Sequence, residues 1–80
     1  MALRWVESMN EIQLDNRGLH PPEPMIRILE ALDNMNGPGK LTAIMERQPR
    51  FLFPELETRG LRYTCEPNGE GYLLTVERDA

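Results

Sequence analysis

The sequence predicts an α/β two-layer sandwich, in which a mixed four-stranded sheet carries two helices on one face in the order β-α-β-α-β-β. Three observations predict it: apolar residues recur at helical spacing in two stretches, they alternate with polar residues in others, and proline and glycine clusters separate the stretches. A chain of 80 residues has room for one modest core. We therefore expect a single domain over residues 12–80, preceded by an N-terminal extension over residues 1–11.

The first strand is predicted to begin at Ile12. Ile12 and Leu14 alternate with polar neighbours, and the pattern stops at residues 16–18, which end in a glycine. The extension before it has apolar side chains at mixed spacing and no cap or turn signal, so both an irregular helical turn and partial disorder stay open for residues 1–11.

The first helix is predicted to start at a proline cluster. Pro21, Pro22 and Pro24 fix φ near the helical value and suit a first turn, where amide hydrogens have no intrahelical partner. The helix should end at residues 36–39, where a glycine supplies a left-handed cap and a proline prevents continuation. Five apolar side chains between these limits follow at helical spacing: Met25, Ile28, Leu29, Leu32 and Met35.

The middle of the chain predicts a buried strand and then a shorter helix. Residues 41–45 are apolar except for Thr42, which is typical of a strand at the centre of a sheet. In residues 51–60, Leu52 and Leu56 lie one helical turn apart and Gly60 is placed to cap the C terminus.

The last part of the chain predicts a β-hairpin. Apolar and polar residues alternate over residues 61–66 and again over residues 72–76, with a turn at residues 67–71 between them. Because crossover connections are right-handed, the strands joined by helices should be parallel, and only this hairpin should be antiparallel.

Charge and cysteine content argue against several classes of protein. Thirteen acidic and nine basic side chains give a net charge of -4, whereas nucleic acids and anionic membranes are bound by basic surfaces. Cys65 is the single cysteine, so no intramolecular disulfide forms. No apolar run approaches the ~18 residues of a membrane span, and no secretory signal is present. We expect a cytoplasmic protein without membrane contact.

Two loops are the candidate site. Residues 15–24 and 46–50 each follow a predicted strand, and such loops meet at the carboxyl edge of a parallel pair. They lie beside two helix N-termini, whose partial positive charge favours anions. We predict that they bind an anion or a protein partner; the alternative is that their arginines are surface residues paired with nearby carboxylates. The predicted binding residues are Asp15, Arg17, His20, Pro21, Glu23, Arg47 and Arg50.

No residue pattern predicts catalysis, a metal or a cofactor. His20 with Asp15 and Glu23 offers donors for a divalent ion, but a lone histidine without a second His or Cys at ligand spacing is more typical of a solvated loop. Cys65 falls in the middle of a strand on its apolar face, with no base beside it. The aromatic residues Phe51, Phe53 and Tyr63 lack the lysine clusters of a base-stacking platform, so we predict that they pack in the core and against the helix.

Residues 14–24 resemble the signature of the SirA/TusA-like family of small sulfur-carrier proteins. In that family an L-D-x-x-G-L motif ends the first strand and runs into C-P-x-P at the first helix; here the letters are LDNRGLHPPEP. The resemblance covers about residues 12–77 and implies the same order of elements. Pro21 stands where the family has its sulfur-accepting cysteine, so persulfide transfer cannot occur at this position. The Pro-Pro-Glu-Pro turn, the Arg-x-Pro-Arg loop and the Pro-Glu-Leu-Glu helix are similar to a thiol-less, uncharacterised branch of the family.

The resemblance and the two loops together lead us to expect a non-enzymatic binding or regulatory module. Domains of the thiol-less branch also occur beside hemerythrin-like and other sensor-type domains, which implies redox or respiratory regulation. A sulfur-relay accessory or sulfurtransferase-like protein, with Cys65 carrying the sulfur, is one alternative. RNA binding is a second alternative, because the fold resembles the C-terminal domain of translation initiation factor three.

Overall fold

The computed structural model describes residues 10–79, which form four strands and two helices. This element order confirms the predicted fold class. The first strand starts two residues before the predicted Ile12, because Asn10 and Glu11 also pair with the neighbouring strand. The remainder of the predicted extension, residues 1–9, lies outside the described residues. The elements are β1 (Asn10–Asp15), α1 (Glu23–Asn34), β2 (Gly39–Met45), α2 (Leu52–Thr58), β3 (Arg62–Asn68) and β4 (Gly71–Arg78).

The strands lie in the order β1-β2-β4-β3. β1 is parallel to β2, as predicted, and β4 is antiparallel to both β2 and β3. The prediction that only the final hairpin is antiparallel is therefore wrong, since β2 and β4 form a second antiparallel pair. The physical reason is burial: Leu74 and Val76 of β4 are fully buried, and this strand has its backbone paired on both sides in the interior of the sheet.

One face of the sheet and both helices enclose the core. Along β2 every second side chain is buried, and the register places Leu41 opposite Val76 and Ala43 opposite Leu74. The helices close this layer with two buried residues each: Ile28, Leu32, Leu52 and Leu56. Neither helix in the described part of the chain is long and apolar enough to cross a bilayer.

Two predicted core positions differ in the structure. Leu29 is only partly buried and packs at the margin of the core, because Ile28 and Leu32 occupy the centre of the apolar face of α1. Phe51 is 87% exposed, so the prediction that it packs in the core or against the helix is wrong. It precedes α2, whose two core-facing positions are filled by leucines. Phe53 does pack as predicted and stacks on Tyr63, with ring centroids 4.8 Å apart.

The two helices end by different means. At α2, Gly60 has a φ of +73°, its N–H donates to the carbonyl of Glu57, and the N–H of Leu61 donates to Leu56, which is the Schellman arrangement. At α1 the capping residue is Met35 in extended conformation, so Gly37 follows the cap instead of forming it.

Arg78, at the end of β4, takes over the role of a cap for α1. Its Nη2 donates to the carbonyl of Leu32 at 3.0 Å, and its Nη1 donates to the carbonyl of Met35 at 2.8 Å. The last turn of α1 contains no basic residue of its own. A cation from the far end of the chain therefore donates to the carbonyl of Met35 and adds a second hydrogen bond to the carbonyl of Leu32, which also accepts from the N–H of Met35.

We predict that Leu32→Ala lowers the free energy of unfolding by about 2–5 kcal/mol, because truncating a fully buried leucine leaves a cavity. Leu29→Ala should cost clearly less, since its side chain is already partly in contact with water. Urea denaturation of both variants measures the difference. Equal losses for the two would contradict the placement of Leu29.

We predict that Arg78→Met lowers the free energy of unfolding by about 1.5–3 kcal/mol, because the charge-assisted hydrogen bonds to α1 are lost while the aliphatic stem is kept. Arg62→Met is the matched control, since Arg62 pairs only with exposed carboxylates. Its effect in the same urea titrations should be smaller. An Arg78→Met variant as stable as the control would show that the cap contributes nothing measurable.

Candidate functional site

The two predicted loops meet and enclose a groove of about 730 Å³ that is open to solvent. Four of the seven predicted binding residues line it: His20, Pro21, Arg47 and Arg50. The rest of its wall is mainly apolar. We call this site the loop groove, and its walls are Gly18, Leu19, His20, Pro21 and Pro22 on one side and Arg47, Gln48, Pro49, Arg50 and Phe51 on the other.

The parallel β1–β2 pair brings the loops to one edge of the sheet. Asp15 pairs with Ile44, and beyond the strand the N–H of Asn16 donates to the carbonyl of Ile44 at 2.9 Å. The loops are then joined directly, because the backbone N–H of Gly18 donates to Oε2 of Glu46 at 2.9 Å. The two walls of the groove are thus held together by a backbone hydrogen bond that extends the sheet and by a hydrogen bond between the loops.

Asn16 forms the floor of the loop groove. It is the one buried polar residue in the described chain, at 2% exposure. Its Nδ2 lies 3.4 Å from the carbonyl oxygen of Pro24 and 3.4 Å from Sδ of Met45, and its Oδ1 accepts a hydrogen bond from Nη1 of Arg27. One side chain therefore links β1, β2 and α1 beneath the groove.

Arg47 and Arg50 are exposed cations without a partner among residues 10–79. Neither side chain forms a hydrogen bond or an ion pair with any residue between 10 and 79, whereas the other five arginines of this range all do. Next to them Phe51 stands almost fully in solvent. The loop groove thus combines an apolar lining with two positive charges that no carboxylate of the described chain neutralises.

Asp15 and Arg17 are bound to each other, and neither lines the loop groove. Nε and Nη2 of Arg17 lie 2.9 and 2.6 Å from the two carboxylate oxygens of Asp15. The hydrogen bonds from the Arg17 side chain and its backbone N–H lower the pKa of Asp15 to about 2. For Arg17 the structure agrees with the alternative of a surface ion pair. Glu23, the first residue of α1, is exposed and does not line the groove.

The helix ends contribute less to anion binding than the sequence suggested. In the first turn of α1, the N–H of Glu23 already donates to the carbonyl of His20, and Pro24 has no N–H. In this turn, Met25 is the one residue whose backbone N–H has no backbone acceptor among the described residues. α2 has only seven residues. Charge for an anion must therefore come from Arg47 and Arg50.

Among the described residues, no thiol lines the loop groove. Pro21 carries no reactive atom, and Cys65 lies on β3 with its side chain packed against the core. Burial raises the pKa of the Cys65 thiol above its ordinary value, so the thiol is neutral near pH 7. Within residues 10–79, no three His, Cys, Asp or Glu side chains are grouped so that they could hold a metal ion.

Sequence reasoning did not predict the apolar part of the groove. Leu19, Pro49 and Phe51 were not among the candidate binding residues, although all three line it. A usable signal was present for Phe51: an aromatic residue directly after Arg50 falls outside the Leu52–Leu56 spacing that marks the buried side of α2.

The comparisons with known proteins give a family. Residues 13–78 match the model of the family described as uncharacterized conserved protein (DUF2249), and the chain belongs to this family. No curated protein and no solved structure matches the chain.

We predict that the carboxyl group of Asp15 titrates with a pKa of about 2 in the wild type, and that Arg17→Met returns the pKa toward the ordinary 3.8. Because the folded-state pKa is lowered, the ion pair stabilises the fold above about pH 4, and this contribution is lost as the pH falls through 2. Carbon NMR of the carboxyl carbon follows the titration.

Arg62→Met is the control for this titration, since Arg62 pairs with other carboxylates and should leave the pKa of Asp15 unchanged. A wild-type pKa near 3.8 would contradict the two-pronged contact between Arg17 and Asp15.

Proposed function

We propose that this member of the DUF2249 family is a non-enzymatic binding module whose loop groove holds an anionic group attached to an apolar body, supplied by a small molecule or by a protein partner. The observation that carries the proposal is the pairing of two chemistries in one place. Arg47 and Arg50 have no partner among the described residues, and Phe51 beside them is 87% exposed on a groove that is otherwise mostly apolar.

The two chemistries have different roles in this proposal. Apolar contact supplies most of the affinity, at about 25 cal/mol for each Å² removed from water. Exposed ion pairs contribute only about 0–1 kcal/mol each, so the arginines orient the ligand and select for negative charge. Arginine suits this role because its planar guanidinium can bind a carboxylate or a phosphate with two parallel hydrogen bonds. An inorganic anion, which lacks the apolar part, should therefore bind weakly.

The regulatory part of the proposal rests on the resemblance to SirA/TusA-like proteins. A relative of sulfur carriers that keeps the loop edge and has Pro21 in place of the thiol would retain binding and lose transfer chemistry. A cytoplasmic location and a role in redox or respiratory regulation belong to the same proposal. The two alternatives have less support, since Cys65 is partly buried with a raised pKa, and a net charge of -4 disfavours RNA.

The test uses small probes of defined chemistry: phenylacetate, phenylpropionate and phenylbutyrate, their uncharged amides, and inorganic phosphate. We expect at least one of the phenylalkyl carboxylates to raise the melting temperature and bind in calorimetry more tightly than its amide and than phosphate. The double variant Arg47→Ala/Arg50→Ala should lose the preference for the carboxylate over the amide. Phe51→Ala should weaken binding of both.

The matched control is Arg59→Ala/Arg62→Ala, which removes the same charge from residues that do not line the groove. It should bind the carboxylate as the wild type does, when each protein is compared with its own ligand-free melting temperature. The proposal fails if no carboxylate of the series binds, or if binding persists unchanged in the Arg47→Ala/Arg50→Ala protein.

A further inference from the structure

A second open cavity, of about 570 Å³, adjoins the loop groove. It lies between the β1–α1 loop and the turn that joins β3 to β4, and we call it the turn cleft; Arg17, Asn68 and Glu70 line it. Met45 and Glu46 line both cavities. The loop groove and the turn cleft therefore meet along the end of β2.

The two cavities share a boundary formed by Met45 and Glu46. The contact between Gly18 and Glu46 lies at this boundary, and it is an exposed hydrogen bond between a backbone N–H and a carboxylate. Both residues are exposed. An extended occupant that lay across this exposed hydrogen bond would contact residues of both cavities.

The outer wall of the turn cleft is held in place by backbone packing. Gly71 lies so close to the end of β2 that a Cβ atom there would be 2.2 Å from the carbonyl oxygen of Met45. Next to it Gly69 has a φ of +64°, a conformation that glycine adopts without strain. The hairpin turn is thus fixed against β2, and the cleft is a standing feature of the fold.

The lining changes in character from one cavity to the other. The loop groove is mainly apolar and carries two cations that pair with no described residue, whereas the turn cleft is more polar and carries Asn68, Glu70 and the Asp15-bound Arg17. Pockets for compact ligands have volumes of about 300–1,000 Å³, so each cavity alone would hold one. A molecule that fills both must be elongated and must change from apolar and anionic to polar along its length. An extended polypeptide has these properties, because its side chains vary and its backbone groups can pair with a polar wall.

We infer that the loop groove and the turn cleft form one continuous site for an extended segment of a partner protein. Its apolar and acidic residues lie in the loop groove at Phe51, Arg47 and Arg50, and its following polar or basic residues lie in the turn cleft at Glu70. This inference rests on the proposed function and narrows the ligand to a peptide.

The experiment uses peptides selected from a random library displayed on phage. The selected sequences should carry an acidic residue next to an aromatic or aliphatic one, with polar or basic residues further along. The tightest peptide is then synthesised, together with a truncated form that keeps only the acidic and apolar part. Amide shifts of the labelled protein should change in both cavities with the full peptide, and only in the loop groove with the truncated one.

Variants separate the two halves of the site. Glu70→Lys should weaken the full peptide about two- to fivefold and leave the truncated one unchanged, as expected for an exposed charge pair. Glu66→Lys makes the same charge change at an exposed position that lines neither cavity, and it should have no effect. Arg47→Ala/Arg50→Ala should weaken both peptides about three- to thirtyfold, as expected for the loss of two exposed charge pairs.

The possible results distinguish this inference from the proposed function. If selected peptides shift only groove residues and Glu70→Lys has no effect, the continuous site is wrong and binding in the loop groove stands. If the phenylalkyl carboxylates bind and no selected peptide binds at the groove, the continuous peptide site is wrong, and the proposed function stands. If both peptides bind the Arg47→Ala/Arg50→Ala protein as tightly as they bind the wild type, the arginines do not bind the acidic residue. Both the proposed function and the continuous site are then wrong.

Discussion

Asn16 is the residue on which the geometry of the candidate site depends. Its amide is buried beneath the loop groove and contacts the carbonyl of Pro24 at the start of α1, the sulfur of Met45 at the end of β2, and Arg27. A buried polar group that loses its partners costs about 1–3 kcal/mol. These three contacts therefore hold the loop after β1 and the start of α1 in a fixed relation to β2, and the groove between them is formed before any ligand arrives.

The sheet order places the second cavity next to the first. Because β4 lies between β2 and β3, the turn that joins β3 to β4 stands beside the end of β2, where the loop of residues 46–50 begins. Had β3 paired directly with β2, a turn would not face this edge in the same way. The absence of a side chain at Gly71 is what allows the turn to approach Met45 so closely. The same topology that buries Leu74 and Val76 thus sets the turn cleft against the loop groove.

Local signals in the sequence were sufficient to predict the helices and strands. They did not show which strands pair with each other. Pro21, Pro22, Pro24 and Gly60 mark helix limits through their own backbone preferences, so α1 and α2 could be placed within a few residues. The alternation of β4 indicates a half-buried strand but does not tell which strands flank it, so the β2–β4 pair was missed. The Arg78 cap was missed for the same reason, since its acceptor carbonyls lie more than forty residues away in the chain. At the site, two loops that follow parallel strands had to meet, whereas the burial of Phe51 depended on which face of α2 meets the core.

The state of the arginines gives the strongest indication of what the groove is for. In a chain with thirteen acidic residues and a net charge of -4, cations readily find carboxylates or carbonyl oxygens, and five of the seven arginines in residues 10–79 have done so. The two exceptions are three residues apart in one loop and line the same groove. Both lie beside Phe51, the most exposed aromatic residue of the described chain. The exposed Phe51 keeps apolar surface in water, which is unfavourable, while the two guanidinium groups are solvated there. All three would gain a contact from an apolar and acidic segment. The charge balance of the fold is thus consistent with an anionic partner that completes this edge.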